Sequence, residues 1–169
     1  MKKITLIFVL AILVGVFATY QNKAKIESFD DCVAAGFAVQ ESYPRRCAAH
    51  DTTFTEDIGN GFEKINLIRL AHPQPNQEIT SPIDIQGSAR GNWFFEAVFP
   101  VKILGSNGEV LKQDYMQADG DWMSEDFVPF SRRIEFDKRG NTQGEIVLEK
   151  ANASGLPEHD DALRVPVKF

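Results

Sequence analysis

The 169-residue chain predicts an all-β main domain, an antiparallel β-sandwich of about seven strands, preceded by an N-terminal hydrophobic helix and a small disulfide-closed unit. Three observations carry this. From position 62 onward, apolar and polar residues alternate with the period of two that marks half-buried strands. Clusters of Gly, Asn, Asp and Pro separate the alternating runs. No convincing amphipathic helix follows the first twenty residues. With 43% hydrophobic and 25% charged side chains, the composition is that of a globular protein and excludes a disordered or collagen-like chain.

Residues 1–20 read as a signal peptide or membrane anchor. Lys2 and Lys3 precede an apolar run over 4–18, a charged n-region followed by an h-region. As a helix that run is about 22 Å long against a hydrocarbon core of about 30 Å, which favours a cleavable signal over a spanning helix. Val16 and Ala18 are the small residues before a cut at Thr19. An uncleaved single-helix anchor is the alternative, and no cysteine follows the run to carry a lipid. Either way the rest of the chain is expected outside the cytoplasm: secreted, periplasmic or anchored to the cell membrane. Residues 21–31 are polar and mixed in charge, as suits a linker.

The small unit covers 32–57. Cys32 and Cys47 are the only cysteines, and in an exported chain two cysteines at this separation are expected to pair. Closing a loop of about 15 residues contributes about 3 kcal/mol in the chain-entropy model. A catalytic thiol would need a reduced pair and a third orienting group, and zinc would find only Cys32, Cys47 and His50. Tyr43-Pro44-Arg45-Arg46 inside the loop raises the alternative of a disulfide-loop protease inhibitor, set against a proline turn with two solvated arginines. The positions Cys32, Gly36, Val39, Glu41-Ser42-Tyr43-Pro44, Cys47, Asp51 and Phe54 resemble a short two-cysteine element that recurs in exported bacterial proteins. Thr52 stands where that element usually has Gly. The resemblance implies an exported setting and no activity.

Asp57-Ile58-Gly59-Asn60-Gly61 is rich in turn formers and marks the boundary to the main domain at 62–169. Strands are expected at 66–71, 83–90, 93–104, 110–116, 130–137, 144–150 and 162–169. In the second, Ile83, Ile85, Gly87 and Ala89 alternate with Asp84, Gln86, Ser88 and Arg90. The third places Trp93, Phe95, Ala97, Phe99, Val101 and Ile103 on one face, the expected centre of the core. Ser106-Asn107-Gly108 supplies a hairpin turn, because Asn-Gly accepts positive φ. Pro100 and Pro166 cannot donate to a ladder and are expected at bulges or sheet edges. A β-barrel is the rival architecture.

Over 65–169 the residues carry a further resemblance. The run 79–91, then Trp93-Phe94-Phe95-Glu96-Ala97, 105–108, Gly120-Asp121-Trp122-Met123, Phe127-Val128-Pro129-Phe130, Asn152-Ala153-Ser154-Gly155 and Val165-Pro166-Val167 follow in order. Together they resemble the immunoglobulin-like domain associated with bacterial spore germination proteins. The resemblance implies an immunoglobulin-like sandwich outside the cytoplasm that binds or supports, with no established activity.

Candidate sites are few. The formal net charge is −6, or −8 once Lys2 and Lys3 leave with a leader, and that balance argues against a nucleic-acid partner. His50, His72 and His159 are the only histidines, and each lies beside turn or linker residues. No metal motif or serine elbow includes them. No catalytic residue, metal ligand or cofactor site is assigned. Between 113 and 131 stand Asp114, Asp119, Asp121, Glu125 and Asp126 with no base before Arg132. This only partly resembles a calcium loop and reads as a solvated acidic loop. A carbohydrate-active pair of Glu96 and Asp121 is the weaker enzymatic alternative. Glu96 is otherwise expected on the wetter face of its strand, opposite Arg132 or Arg133. Trp122 lacks periodic support, so Trp122, with Tyr115 and Glu96, is the candidate ligand surface. The expected function is a non-enzymatic binding or structural module of the bacterial cell envelope. Its expected partner is an envelope protein or polysaccharide, together with the membrane if the leader stays uncut.

Overall fold

A computed structural model describes residues 25–169, so the expected leader at 1–20 and the start of the linker lie outside the described residues. The chain divides into two compact units, Met1–Glu56 and Asp57–Phe169.

In the first unit, helix α1 (Phe29–Ala34) is followed by strands β1 (Val39–Gln40), β2 (Arg46–Ala49) and β3 (Thr52–Thr55), which form one antiparallel sheet in the order β1-β2-β3. Ser28 caps the helix: its Oγ accepts the Asp31 N–H at 3.0 Å, which satisfies one of the free donors of the first turn. The core is Phe29, Cys32, Cys47 and Ala49, with Ile26, Phe37, Val39 and Phe54 packed around it. The unit's core therefore begins at Ile26, upstream of the expected start at Cys32, because α1 turns Phe29 and Cys32 to the same side one turn apart. His50 takes φ +53° in the two-residue turn that joins β2 to β3, and Thr52, where the recurring element has Gly, is already strand.

The second unit is an all-β sandwich. After the short helix α2 (Gly61–Lys64) come β4 (Ile68–His72), β5 (Ile83–Arg90), β6 (Val98–Gly105), β7 (Val110–Gln117), β8 (Phe127–Ile134), β9 (Gln143–Glu149) and β10 (Ala162–Lys168). They make two antiparallel sheets, β4-β5-β8 and β10-β9-β6-β7. Each sheet has end strands, so the seven strands form a sandwich and not the rival barrel. The inner faces meet in a core around Trp93, Phe94, Phe99, Phe130, Ile85, Ile103, Ile146 and Leu148. Phe99 stands edge-on to Phe130 and to Phe94, each at 5.1 Å between centroids, a preferred arrangement of aromatic quadrupoles.

Most strands lie where the alternation puts them. The prolines also obey their constraint: β10 carries Pro166 on a sheet edge, and Pro100 sits one residue beyond the end of the β6–β9 ladder. The 57–61 stretch, expected as the boundary, packs into the second unit: Ile58 is buried and Asn60 bonds both Arg164 N–H (2.8 Å) and Ala162 O (2.9 Å). In the β6–β7 hairpin Gly108 takes φ +78° and Asn107 does not share it. Gly105 closes on Glu109 by an N–H···O bond of 2.9 Å, so the loop has three residues, with glycine in the left-handed position.

The largest correction is the strand expected at 93–104. Gly91–Trp93 is a 3-10 turn, and the chain reverses at Phe95-Glu96-Ala97-Val98, where Phe95 and Val98 exchange N–H···O bonds of 3.0 and 3.1 Å. Glu96 and Ala97 have φ +52° and +64°, the signature of a two-residue primed hairpin turn. Strand period is lost across the reversal. Phe94, expected on the wetter face, is 4% exposed, and Phe95, expected in the core, is 47% exposed.

Candidate functional site

The segment between β7 and β8 closes one end of the sandwich. It begins where the Ala118 N–H donates to Ala97 O at 2.9 Å, which ties it to the 95–98 reversal. Gly91 makes its approach possible, because a Cβ there would collide with the backbone oxygens of Trp122 and Ser124. Trp122 is half-buried and packs against the main core. Met123, beside it, is 78% exposed, so its thioether faces solvent. Phe127 begins β8 with the guanidiniums of Arg69 and Arg90 stacked on its ring at 4.0 and 4.3 Å. Arg90 also donates to Glu125 O at 2.9 Å, which fixes the segment's far end.

Against this frame the candidate surface is redistributed. Glu96 is exposed at the tip of the reversal, so it is not a strand residue opposite Arg132 or Arg133. Those arginines pair with Asp114 and Asp84 instead, each at 3.0 Å. Tyr115 is exposed on β7 opposite Pro100. Trp122 supplies part of the end's floor. Phe95 and Met123, which the sequence reading did not place in the surface, are its exposed apolar groups. Only the turn-prone acidic stretch around Trp122 marked the location, and nothing in the residue types signalled a reversal at Glu96-Ala97.

The acidic stretch does not converge on a cation. Among the described residues no group of three or more His, Cys, Asp or Glu side chains could hold a metal ion. Asp114 is paired with Arg132, Asp119 accepts from Ser131 Oγ at 2.9 Å, and Asp121 accepts the N–H of Met123 at 3.0 Å.

Elsewhere, Asn152-Ala153-Ser154-Gly155 is a turn organised by one side chain. Asn152 Oδ1 accepts from Ser154 N–H, Ser154 Oγ and the Gly155 N–H. Ser154 Oγ also lies 2.9 Å from His159 Nδ1. The hydroxyl is also engaged at 2.6 Å with Asn152 Oδ1, and among the described residues no hydrogen bond orients the far ring nitrogen, as a triad's third member would.

In the first unit Cys32 and Cys47 are joined and fully buried. Arg45 is partly exposed but paired: its Nε and Nη2 donate to the two oxygens of Glu56 at 2.9 and 2.6 Å. That bidentate bond raises the Arg45 pKa, and the guanidinium also lies over Phe29 at 5.3 Å. Arg46 is exposed, but it sits on the central strand, with partners Gln40 and Thr55 on either side. A strand paired on both sides is unlike the extended free loop that an inhibitor inserts into a protease.

In a comparison against family models, residues 67–155 match the immunoglobulin-like domain of bacterial spore germination. The chain belongs to that family. Neither a curated relative nor a solved structure matches it. The family is not a known enzyme family, and its membership supports a structural or binding module.

Proposed function

We propose that this family member is an exported, non-enzymatic binding module of the bacterial cell envelope, carried out of the cytoplasm by residues 1–20 as a cleaved leader or held at the membrane by them uncut. One observation supports export most directly. Cys32 and Cys47 are 0% exposed and form the centre of the first unit's small core, and a unit of this size that depends on a buried disulfide suits an oxidising compartment. Among the described residues no helix is long and apolar enough to cross a membrane, so any anchoring falls to the leader segment. The partner is an envelope protein or polysaccharide, and no cofactor enters the reading.

The test is expression of the full chain in a bacterial host, cell fractionation, and thiol alkylation before and after reduction. Export predicts the protein in the envelope or medium, with alkylation of both cysteines only after reductant. Cytoplasmic protein with two freely alkylated thiols would overturn the proposal.

A further inference from the structure

We infer that the closed end of the sandwich is a protein-docking surface, with Phe95 and Met123 as its anchors, for a partner segment that presents lysine or arginine beside apolar side chains. The inference rests on the binding-module reading and names the surface and the partner's chemistry.

The backbone at 95–98 supplies the first argument. A continuous strand would bury Trp93 and Phe95 and expose Phe94; the reversal buries Trp93 and Phe94 and exposes Phe95. The number of buried aromatic rings is the same. The reversal adds two left-handed residues, neither of them glycine, at roughly 1–2 kcal/mol each. The reversal gains the two Phe95–Val98 hydrogen bonds and an Ala97 carbonyl that accepts from Ala118. It also holds a phenyl ring and a carboxylate outward on a two-residue turn of non-glycine left-handed residues, and such residues cluster at binding and active sites.

Composition and charge supply the second. Phe95 (47% exposed) and Met123 (78%) lie on two segments joined by the Ala118–Ala97 hydrogen bond, with Tyr115 (53%) on the adjoining strand. Large exposed apolar side chains gathered in one region mark interaction sites, and aromatic residues and Met are enriched in protein interfaces. Around them Glu96, Asp121, Glu125 and Asp126 take part in no ion pair among the described residues. Of the cations at this end, Arg69 and Arg90 are stacked on Phe127, and Lys150 precedes Ala151, whose N–H donates to Trp93 O. With Asp119 the carboxylates still outnumber them, so a cationic segment is favoured over anionic wall polymers. A saccharide platform would need an aromatic face open to solvent, and Trp122, the ring best suited to that, is half-buried against the core.

The experiment uses the full chain, whose only tryptophans are Trp93, 0% exposed, and Trp122 at the surface in question. Trp122 fluorescence therefore reports occupancy. Three probes are titrated: a synthetic peptide of alternating lysine and leucine, the same peptide with glutamate for lysine, and an N-acetylglucosamine oligomer. Saturable binding of the lysine peptide is expected, weakened about tenfold or more by Phe95→Ser with Met123→Ser, and similarly by Glu96→Gln with Asp121→Asn and Glu125→Gln. All five side chains are exposed, and unchanged thermal melts confirm that the variants fold. Equal binding of the glutamate peptide, or lysine-peptide affinity unchanged in both variants, overturns the inference. Saccharide binding lost in the same variants also overturns it and reassigns the surface to a polysaccharide. Envelope location of the exported protein does not depend on these variants, so the surface can fail while the binding-module reading stands.

Discussion

Replacing Phe94 and Phe95 separately by alanine separates the reversed backbone from a continuous strand. Phe94 is 4% exposed and stands edge-on to Phe99 at 5.1 Å. Its truncation loses the transfer energy of the ring, the edge-to-face contact and the packing around the cavity left behind, about 3–5 kcal/mol together. Phe95 keeps nearly half of its surface in water, so its truncation forfeits only part of the transfer term and opens no enclosed cavity; the expected loss is under about 1.5 kcal/mol. In a domain of this size each kcal/mol lowers the melting temperature by about 4 °C. Phe94→Ala should therefore melt about 12–20 °C below wild type, and Phe95→Ala less than about 6 °C below. Urea titration gives the free energies and calorimetry the temperatures. If Phe95→Ala costs as much as Phe94→Ala, the chain runs straight through Glu96 and Ala97, Phe95 belongs to the core, and the proposed docking anchor is lost.

Ala97→Gly relieves a left-handed residue at φ +64°; after glycine's larger entropy loss is subtracted it should stabilise by about 0.5–1 kcal/mol, read as a higher urea midpoint at unchanged slope. The Glu109 carboxylate accepts from Asn141 Nδ2 and from the Asn107 N–H, which holds its pKa below the usual 4.5. A carboxylate lowered in the folded state contributes stability above its unfolded pKa and loses it as pH falls through the folded one. The stability gap between wild type and Glu109→Gln should thus be constant from neutral pH to about pH 5 and narrow below it, as measured by melts in a pH series. Cys32→Ser with Cys47→Ser removes the 15-residue crosslink and should lower the first unit's stability by about 3 kcal/mol while the sandwich transition stays in place; a large fall in that transition would show the two cores to be interdependent. Trp122→Ala should cost about 1–2 kcal/mol, as a half-buried ring, against about 3–5 kcal/mol for the fully buried Phe99→Ala. Equal costs in denaturant would make Trp122 a core residue.

The parts of the fold legible in the sequence are those where one face is buried and the other wet. In β5, Ile83, Ile85 and Ala89 are buried while Gln86 is exposed, and residues 83–90 are where alternation alone puts the strand. β10 alternates likewise through Leu163, Val165 and Val167. Alternation carries less information on β9, where Ile146, Val147 and Leu148 are all buried in succession. Val147 lies on the outer face, paired with Lys102 and Arg164. The side chains of those two residues bond Glu149 and Glu145, so Val147 is covered by the stems of charged neighbours and not by a second sheet. Single-residue period cannot see that cover. β8 was displaced for a related reason: Phe127 and Pro129 open the strand three residues early, and a proline on an edge strand does not end pairing.

The site was legible by position and not by membership. A stretch of acids and turn formers around Trp122 marked the end of the sandwich, since such residues cannot continue a buried strand. Which rings face water there depends on one backbone event. Turn chemistry signals reversals through Asn-Gly or Asp-Gly, as Asn107-Gly108 does at the next hairpin; Glu96-Ala97 carries no such signal, and its neighbours on both sides have strand propensity. A one-residue change of phase exchanges the faces of every residue beyond it; here Phe94 and Phe95 are exchanged while Phe99, Val101 and Ile103 stay correct, because Phe95 pairs with Val98 across the turn and shares its outward face, which puts Phe94 with Phe99 in the core. The error is thereby confined to the residues between Trp93 and Val98. The turn's local products are the outward pair Phe95 and Glu96 and an Ala97 carbonyl placed to accept from the Ala118 N–H. Local propensity and tertiary structure disagree over those few residues while agreeing on both sides, and such isolated disagreement is expected at functional or strained positions.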